Sequence, residues 1–346
     1  MELNLKEGFT TCVIGDMHFK ETYGHAASFS DRRVTERAGI ELSVAEAARA
    51  CDLVVILGDM FDHRSNPSSA LFSATAFLES LGSYPEIVIL GGNHDTYADG
   101  SGALDYIRAL SGKKWHVVSG KPETSVAGGR TLHFVPYMRC GSGQDTRALA
   151  DEIVTGVAEG CDMLFTHHSV SGTAMANGTT DMLKGEPVLP REIVSEKSKL
   201  SFHGHIHRPG TYGNVIVAGS IMSEEAGDDT PKKVFVVDGT AVSEVTLPGR
   251  AMRRVKAETV KEAMEGIGDA DFYRIVVTVP PTDAEIAALP ANVEVSCVSA
   301  ASRERTESAD DGPISINPTE LLTEYAEKKG VDKERIINGW NEIDKS

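Results

Sequence analysis

Short apolar runs punctuate the chain up to about residue 240, and helical patterns separate several of them. The runs predict strands at 11–15, 53–58, 87–91, 115–118, 131–135, 163–166, 200–203, 215–219 and 233–237. Helix-like patterning occupies 36–50, 67–81 and 104–110. The strands beginning at Thr11, Leu53, Ile87 and Met163 are apolar on both faces, and polar residues follow at once. Strands buried inside a layered α/β sheet look like this. The later runs have hairpin-like spacing, which predicts a second half-sheet packed on the first.

The pattern shifts after Leu247-Pro248-Gly249-Arg250. From there a helix at 255–266, a strand at 272–279, a helix at 283–289 and a strand at 293–298 predict a small α+β domain. Residues 302–312 are polar and charged and read as a linker. Asn317, Pro318 and Glu320 form a helix start, with a capping residue, proline at the first helical position and glutamate three residues after the cap. Gly330 ends that helix and Asp332 can cap the next, on which Ile336, Trp340 and Ile343 form one apolar stripe. The expected division is 1–250, 251–301, a linker at 302–316 and a helical segment at 317–346.

Composition narrows the class. Hydrophobic residues at 41% and charged residues at 25% are the balance of an ordinary globular protein. No apolar run approaches the roughly 18–20 residues that span a bilayer. The first seven residues are acidic and amphipathic and do not resemble a signal peptide. Cysteines at 12, 51, 140, 161 and 297 are odd in number and far apart, which reads as buried, reduced thiols of a cytoplasmic protein. A net charge of −17 argues against indiscriminate coating of nucleic acid. It leaves room for a nuclease, because bound divalent cations invert the local field.

Five short motifs carry the chemistry, each directly after a predicted strand. Asp16-Met17-His18 places two polar side chains at i, i+2, on one side of an extended chain. Gly58-Asp59-Met60-Phe61-Asp62 puts a carboxylate beside a glycine, where it can bridge two metals through its two oxygens or simply cap a helix. Gly92-Asn93-His94-Asp95 offers an amide oxygen to a metal and an imidazole to a phosphate, with Asp95 able to hold the His94 ring in one tautomer. Thr166-His167-His168 needs only one of its histidines as a ligand, and Gly204-His205-Ile206-His207 repeats the i, i+2 spacing. Each motif alone has a bland reading. Together they gather beyond the carboxyl ends of strands, where α/β folds bind ligands. Carboxylate, amide oxygen and imidazole without thiolate suit Mn²⁺, Fe²⁺ or Zn²⁺ in a two-metal site.

The series Asp16-x-His18, Gly58-Asp59-x-x-Asp62, Gly92-Asn93-His94-Asp95, a later histidine and Gly204-His205-x-His207 resembles the signature of calcineurin-like metallophosphoesterases. The resemblance implies a four-layer α/β sandwich of two packed mixed sheets flanked by helices. It implies Asp16, His18, Asp59 and His207 on one divalent cation, and Asp59, Asn93, His167 and His205 on the other, with His94 contacting the scissile phosphate. His167 is taken before His168 as the residue that comes first after the strand.

Finer features are similar to the SbcD-type nuclease subunit of double-strand-break repair, including its bacteriophage relatives. These are Met60-Phe61-Asp62 followed by Pro67 and a helix, Leu132-His133-Phe134-Val135-Pro136-Tyr137, Gly219-Ser220, and the α+β piece after residue 250. Phe19-Lys20 departs from the Leu-Gly common in that family after the first motif. The resemblance implies a Mn²⁺-dependent DNA exonuclease and endonuclease in which a hydroxide held between two cations attacks phosphorus. It also implies a homodimer, an SbcC-type coiled-coil ATPase partner gripping the C-terminal helices, a DNA-capping domain, and a cytoplasmic location (the host's, if phage-encoded). Arg32, Arg33 and Arg37 could contact DNA phosphates or form a solvated helix face. A small-molecule phosphodiesterase or protein phosphatase, and a non-catalytic scaffold, are the alternative readings.

Overall fold

A computed structural model describes residues 1–298, except 25–26, 83–84, 98–100, 112–114, 142 and 176–184. The expected linker at 302–316 and the helices at 317–346 lie outside the described residues. Met1–Cys297 form a single unit.

In chain order the elements are β1 (Thr10–Ile14), α1 (Ala27–Arg49), β2 (Leu53–Ile56), α2 (Ser68–Ser80), β3 (Glu86–Leu90), α3 (Leu104–Ser111), β4 (Trp115–Val118), β5 (Glu123–Ala127) and β6 (Arg130–Val135). There follow α4 (Thr146–Thr155), β7 (Cys161–Thr166), β8 (Ser169–Val170), β9 (Val188–Leu189), α5 (Arg191–Lys197), β10 (Ser198–His203), β11 (Gly210–Tyr212) and β12 (Val215–Val217). The last are β13 (Lys233–Asp238), β14 (Ala241–Thr246), β15 (Met252–Ala257), α6 (Val260–Met264), β16 (Phe272–Val277), α7 (Asp283–Ala287) and β17 (Val293–Cys297).

Among the described residues, two mixed six-stranded sheets dominate, ordered β14-β13-β1-β2-β3-β4 and β11-β12-β10-β7-β6-β5. Strand alternation explains why they stack. Val13, Leu53, Val55, Val88 and Leu90 face inward and meet Phe134, Met163, Phe165, Phe202 and Ile216 of the second sheet in one apolar layer. The alternate residues Cys12, Ile14, Val54, Ile56, Ile87 and Ile89 face outward against Ile40 and Val44 of α1 and Phe77 and Leu78 of α2. Val135 and Leu164 do the same for the second sheet, beneath Leu149 and Ile153 of α4 and Val194 of α5. Central strands are therefore apolar on both faces because both faces are covered. The result is the expected four-layer α/β/β/α sandwich.

α1 begins well before the predicted residue 36. Its buried face reads Phe29, Ser30, Arg33, Arg37, Ile40, Val44, Ala45, Ala48. Two arginines and a serine interrupt the apolar stripe in its first turns, so periodicity alone could not reveal it. β15 was also hidden, its residues being expected to lead into a helix from 255. Val255 and Ala257 alternate there with Arg254 and Lys256. Met252 bridges to Asp228, and β15 lies at the edge of its sheet beside β16, a place that tolerates charge. β15, β16 and β17 form a three-stranded parallel sheet with its own apolar cluster of Val260, Ala263, Ile275, Val277 and Val293. Phe272 and Met252 pack with Phe29 of α1. Among the cysteines, 12, 51 and 161 are buried free thiols, whereas Cys140 is half-buried and Cys297, at the end of β17, is exposed. Among the described residues no helix is long and apolar enough to cross a membrane.

Candidate metal centre

Parallel strands β1, β2 and β3 of one sheet and β7 and β10 of the other end at one edge of the sandwich, and a motif follows each. The backbone ties these ends together before any side chain is considered. Asp16 donates its N–H to the Gly219 carbonyl (3.1 Å), and Met17 and His18 both donate to the Asp59 carbonyl (3.0 and 2.9 Å). Among the described residues, the non-glycine residues with left-handed φ are His18 (49°), Asp59 (45°) and His205 (75°). Such conformations cost of order 1 kcal/mol each and persist where surrounding structure enforces them. Gly92 is required by close approach, since a Cβ there would collide with the Asp59 carboxylate and its backbone nitrogen.

Two ligand clusters result. Asp16, His18 and His207 form one, and Asp59, His167 and His205 the other, with candidate donor atoms within 4.8 Å of one another in each. In the first, His18 Nε2 lies 3.0 Å from His207 Nε2, and His207 Nε2 lies 3.6 Å from Asp16 Oδ2. In the second, Asn93 Oδ1 is 3.0 Å from His167 Nε2 and 2.9 Å from His205 Nδ1. Asp59 Oδ2 sits between the clusters, 3.3 Å from His167 Nε2 and 4.0 Å from His18 Nε2. Its other oxygen accepts from the His94 backbone N–H at 2.8 Å. One carboxylate oxygen therefore faces both clusters, rather than one oxygen for each.

Each histidine is oriented from behind. His167 Nδ1 meets the Leu57 carbonyl (2.7 Å), and His205 Nε2 meets Glu186 Oε2 (2.6 Å). His18 Nδ1 faces Asp62 Oδ1 and His207 Nδ1 faces Glu225 Oε1, both at 3.4 Å. A proton held on the outward nitrogen leaves the inward nitrogen with its lone pair, which is how metal-binding imidazoles are prepared. Four inward nitrogens then converge with Asn93 Oδ1, Asp59 Oδ2 and Asp16 Oδ2, and Asp16 Oδ2 is buried without a hydrogen-bond partner. Lone pairs at these separations repel unless positive charge lies among them. The residues present fit two divalent cations.

Electrostatics point the same way. Burial works against the charge on Asp59, but His167, His18 and His94 outweigh it and hold its carboxyl well below the usual range. Burial likewise disfavours protonation of His167, yet Asp59 and Asp16 carry it up to about 10. The carboxylates demand a cation and draw a proton onto the nearest imidazole to obtain one. His168 goes the other way: burial, with His167, His205 and His203 nearby, pushes it well below its ordinary value.

The calcineurin-like phosphoesterase profile matches residues 9–209, more than half of the 346-residue chain. The chain belongs to the calcineurin-like phosphoesterase family. No curated protein matches it. Family membership and the two clusters make this phosphoesterase a metal-dependent phosphoester hydrolase whose site offers Asp and His ligands to two divalent cations.

Some expected roles change. Asp95 does not orient His94 in this phosphoesterase. Its carboxylate accepts from the N–H groups of Met60 (3.2 Å), Phe61 (2.9 Å) and Gly92 (3.0 Å), locking the Asp59 turn to the Asn93 turn. The His94 ring is held instead by the Asp62 carbonyl, 2.7 Å from Nδ1. His167 is the histidine brought against Asp59, while His168 turns back and accepts from the Met138 N–H at 3.1 Å. Two of the three arginines expected either to contact phosphates or to form a solvated face, Arg33 and Arg37, are buried and do neither. Arg33 (2% exposed) pairs with Glu36 and donates to the Ser223 carbonyl, and Arg37 (3%) pairs with Glu41 and donates to the Met17 carbonyl. Arg32 pairs with Asp269. Sequence reasoning missed Glu186 and Glu225. Glu225 stands two residues after a buried serine with no motif around it, and Glu186 meets His205 only through the fold.

Proposed function

We propose that this phosphoesterase is a DNA nuclease, the hydrolytic subunit of a recombination-repair complex. The observation that carries phosphodiester hydrolysis is the position of Asp59 Oδ2 between two ligand clusters, with His94 beside them. Asp16, His18, Asp59 and His207 would hold one cation, and Asp59, Asn93, His167 and His205 the other. Bound there, divalent cations acidify water and neutralise charge on phosphoryl oxygens. His94 lies edge-on to His18, with ring centroids 5.2 Å apart. Its Nδ1 is committed to the Asp62 carbonyl, which leaves Nε2 to hold the phosphate or the departing oxygen. Glu186 and Glu225 keep the two histidines of the last motif in register, and Asp95 keeps the two turns that carry Asp59 and Asn93 together.

DNA as substrate is supported by the SbcD-type order of secondary motifs and by the α/β unit at 252–297 that follows the phosphoesterase segment, where that family carries its capping domain. Mn²⁺ is the proposed metal, and a homodimer with an SbcC-type ATPase, reached through 317–346, the proposed assembly. The net charge of −17 favours a second reading, a small-molecule phosphodiesterase or protein phosphatase.

The test incubates the full chain and Mn²⁺ with end-labelled linear DNA and, separately, with bis(p-nitrophenyl) phosphate. The nuclease reading expects loss of both substrates. Turnover of the small diester with DNA left intact would favour the second reading, and inertness toward both would leave a scaffold. Deleting 317–346 should abolish capture of the ATPase while DNA hydrolysis persists.

A further inference from the structure

The cleft beside His94 has a wall that hydrolysis alone does not use. It encloses about 380 Å³, and its lining includes Asp62, His63, Arg64, Asn93, His94 and Tyr97. Sites for small ligands begin at about this size. Arg64 donates through Nε to the Thr96 carbonyl and through Nη2 to the Asn93 carbonyl, both at 2.8 Å. Carbonyl oxygens fix the guanidinium without neutralising it, and among the described residues no carboxylate pairs with it. It lies 5.7 Å from the Tyr97 ring centroid, close enough for a cation–π contact that steadies the ring. Tyr97 nevertheless remains 51% exposed. Exposed aromatics are common on protein surfaces. This one differs because it shares a wall with His94 and stands next to a guanidinium anchored by two carbonyls.

We infer that this cleft is a nucleotide subsite, in which Tyr97 stacks the base next to the phosphate at His94 and Arg64 faces the anionic part of that nucleotide. A π-face accepts any base, so the contact suits a nuclease that does not select sequence. A planar guanidinium matches phosphate oxygens, and its carbonyl anchors pre-organise it. The inference rests on the nuclease reading and specifies how that site grips its substrate.

Calorimetry on the full chain with Mn²⁺ compares the dissociation constants of inorganic phosphate and of deoxyadenosine 5′-monophosphate. Stacking predicts that the nucleotide binds roughly tenfold more tightly than phosphate. Tyr97→Phe, which keeps the ring, retains that ratio, and Tyr97→Ala brings it close to one. Equal affinities in the unaltered protein, or a preference that survives Tyr97→Ala, overturn the inference. DNA hydrolysis measured in parallel separates the two ideas: a nucleotide preference without DNA cleavage removes the nuclease reading and keeps the subsite, and cleavage without preference removes the subsite alone.

Discussion

At the scale of single residues, the histidines of the site differ in what lies behind them. His94 is braced by a carbonyl and belongs to neither ligand cluster. Replacing it with alanine should lower turnover of a phosphodiester by about 10²–10⁴-fold, the usual worth of a positioned acid–base group. Bound metal, measured by elemental analysis, should stay at the unaltered level; its loss would show that His94 is a ligand instead. Lys20 offers a second residue-scale test. It pairs with Asp62 and Glu224 near the first cluster. Burial raises the Glu224 carboxyl, but Lys20, with His18 and Arg33, overrides it and brings it down to about 2. A carboxyl depressed on folding contributes stability above its unfolded value near 4.5, and that contribution fades as pH falls toward 2. In chelator-treated protein, Lys20→Met should cost on the order of 2 kcal/mol at pH 7. The difference from the unaltered chain should shrink between pH 5 and pH 2; a gap independent of pH would mean the ion pair contributes nothing. Lys20 was visible in the sequence only as a departure from a familiar motif, because its partner Glu224 lies 204 residues away.

At the scale of elements, the loop after β10 is held by a buried cation. Lys232 Nζ donates to the His207 carbonyl (2.7 Å), to Ser220 Oγ (3.1 Å) and to Asp228. It thereby joins the start of β13 to the turn that presents His207. Lys232→Met strands Asp228 as an unpaired buried charge, which costs about 3–5 kcal/mol. It should also loosen His207 and weaken cation affinity by about tenfold or more. Lys232→Met combined with Asp228→Leu should recover most of the stability in denaturant titrations but not the affinity. Recovery of both would show that the lysine does not position the ligand. The apolar central strands were readable because sheet and helix cover both their faces. The start of α1 was not, because its inward face carries Arg33 and Arg37, whose charges are satisfied by Glu36, Glu41 and the carbonyls of Ser223 and Met17. A linear pattern scores such residues as solvent-facing.

At the scale of the whole molecule, the candidate ligands bind the two sheets to each other. Asp16, His18, Asp59 and Asn93 follow strands of one sheet, while His167, His205 and His207 follow strands of the other. Cations that bind only this folded arrangement must stabilise it, by about 2.7 kcal/mol at a hundred times the dissociation constant. Removing metal with a chelator should therefore lower the melting temperature, and adding Mn²⁺ should restore it. A melting temperature indifferent to both would mean that the clusters hold no cation. The sequence by itself determined the layered α/β class and the seven candidate ligands, because strand burial and the donors that follow each strand are local properties. The tertiary structure alone decided that Asp59 presents one oxygen to both clusters, that Asp95 braces two turns rather than a ring, and that Glu186, Glu225 and Lys232 support the histidines. Those roles depend on distances between residues remote in the chain, and such distances exist only once the sheets have packed.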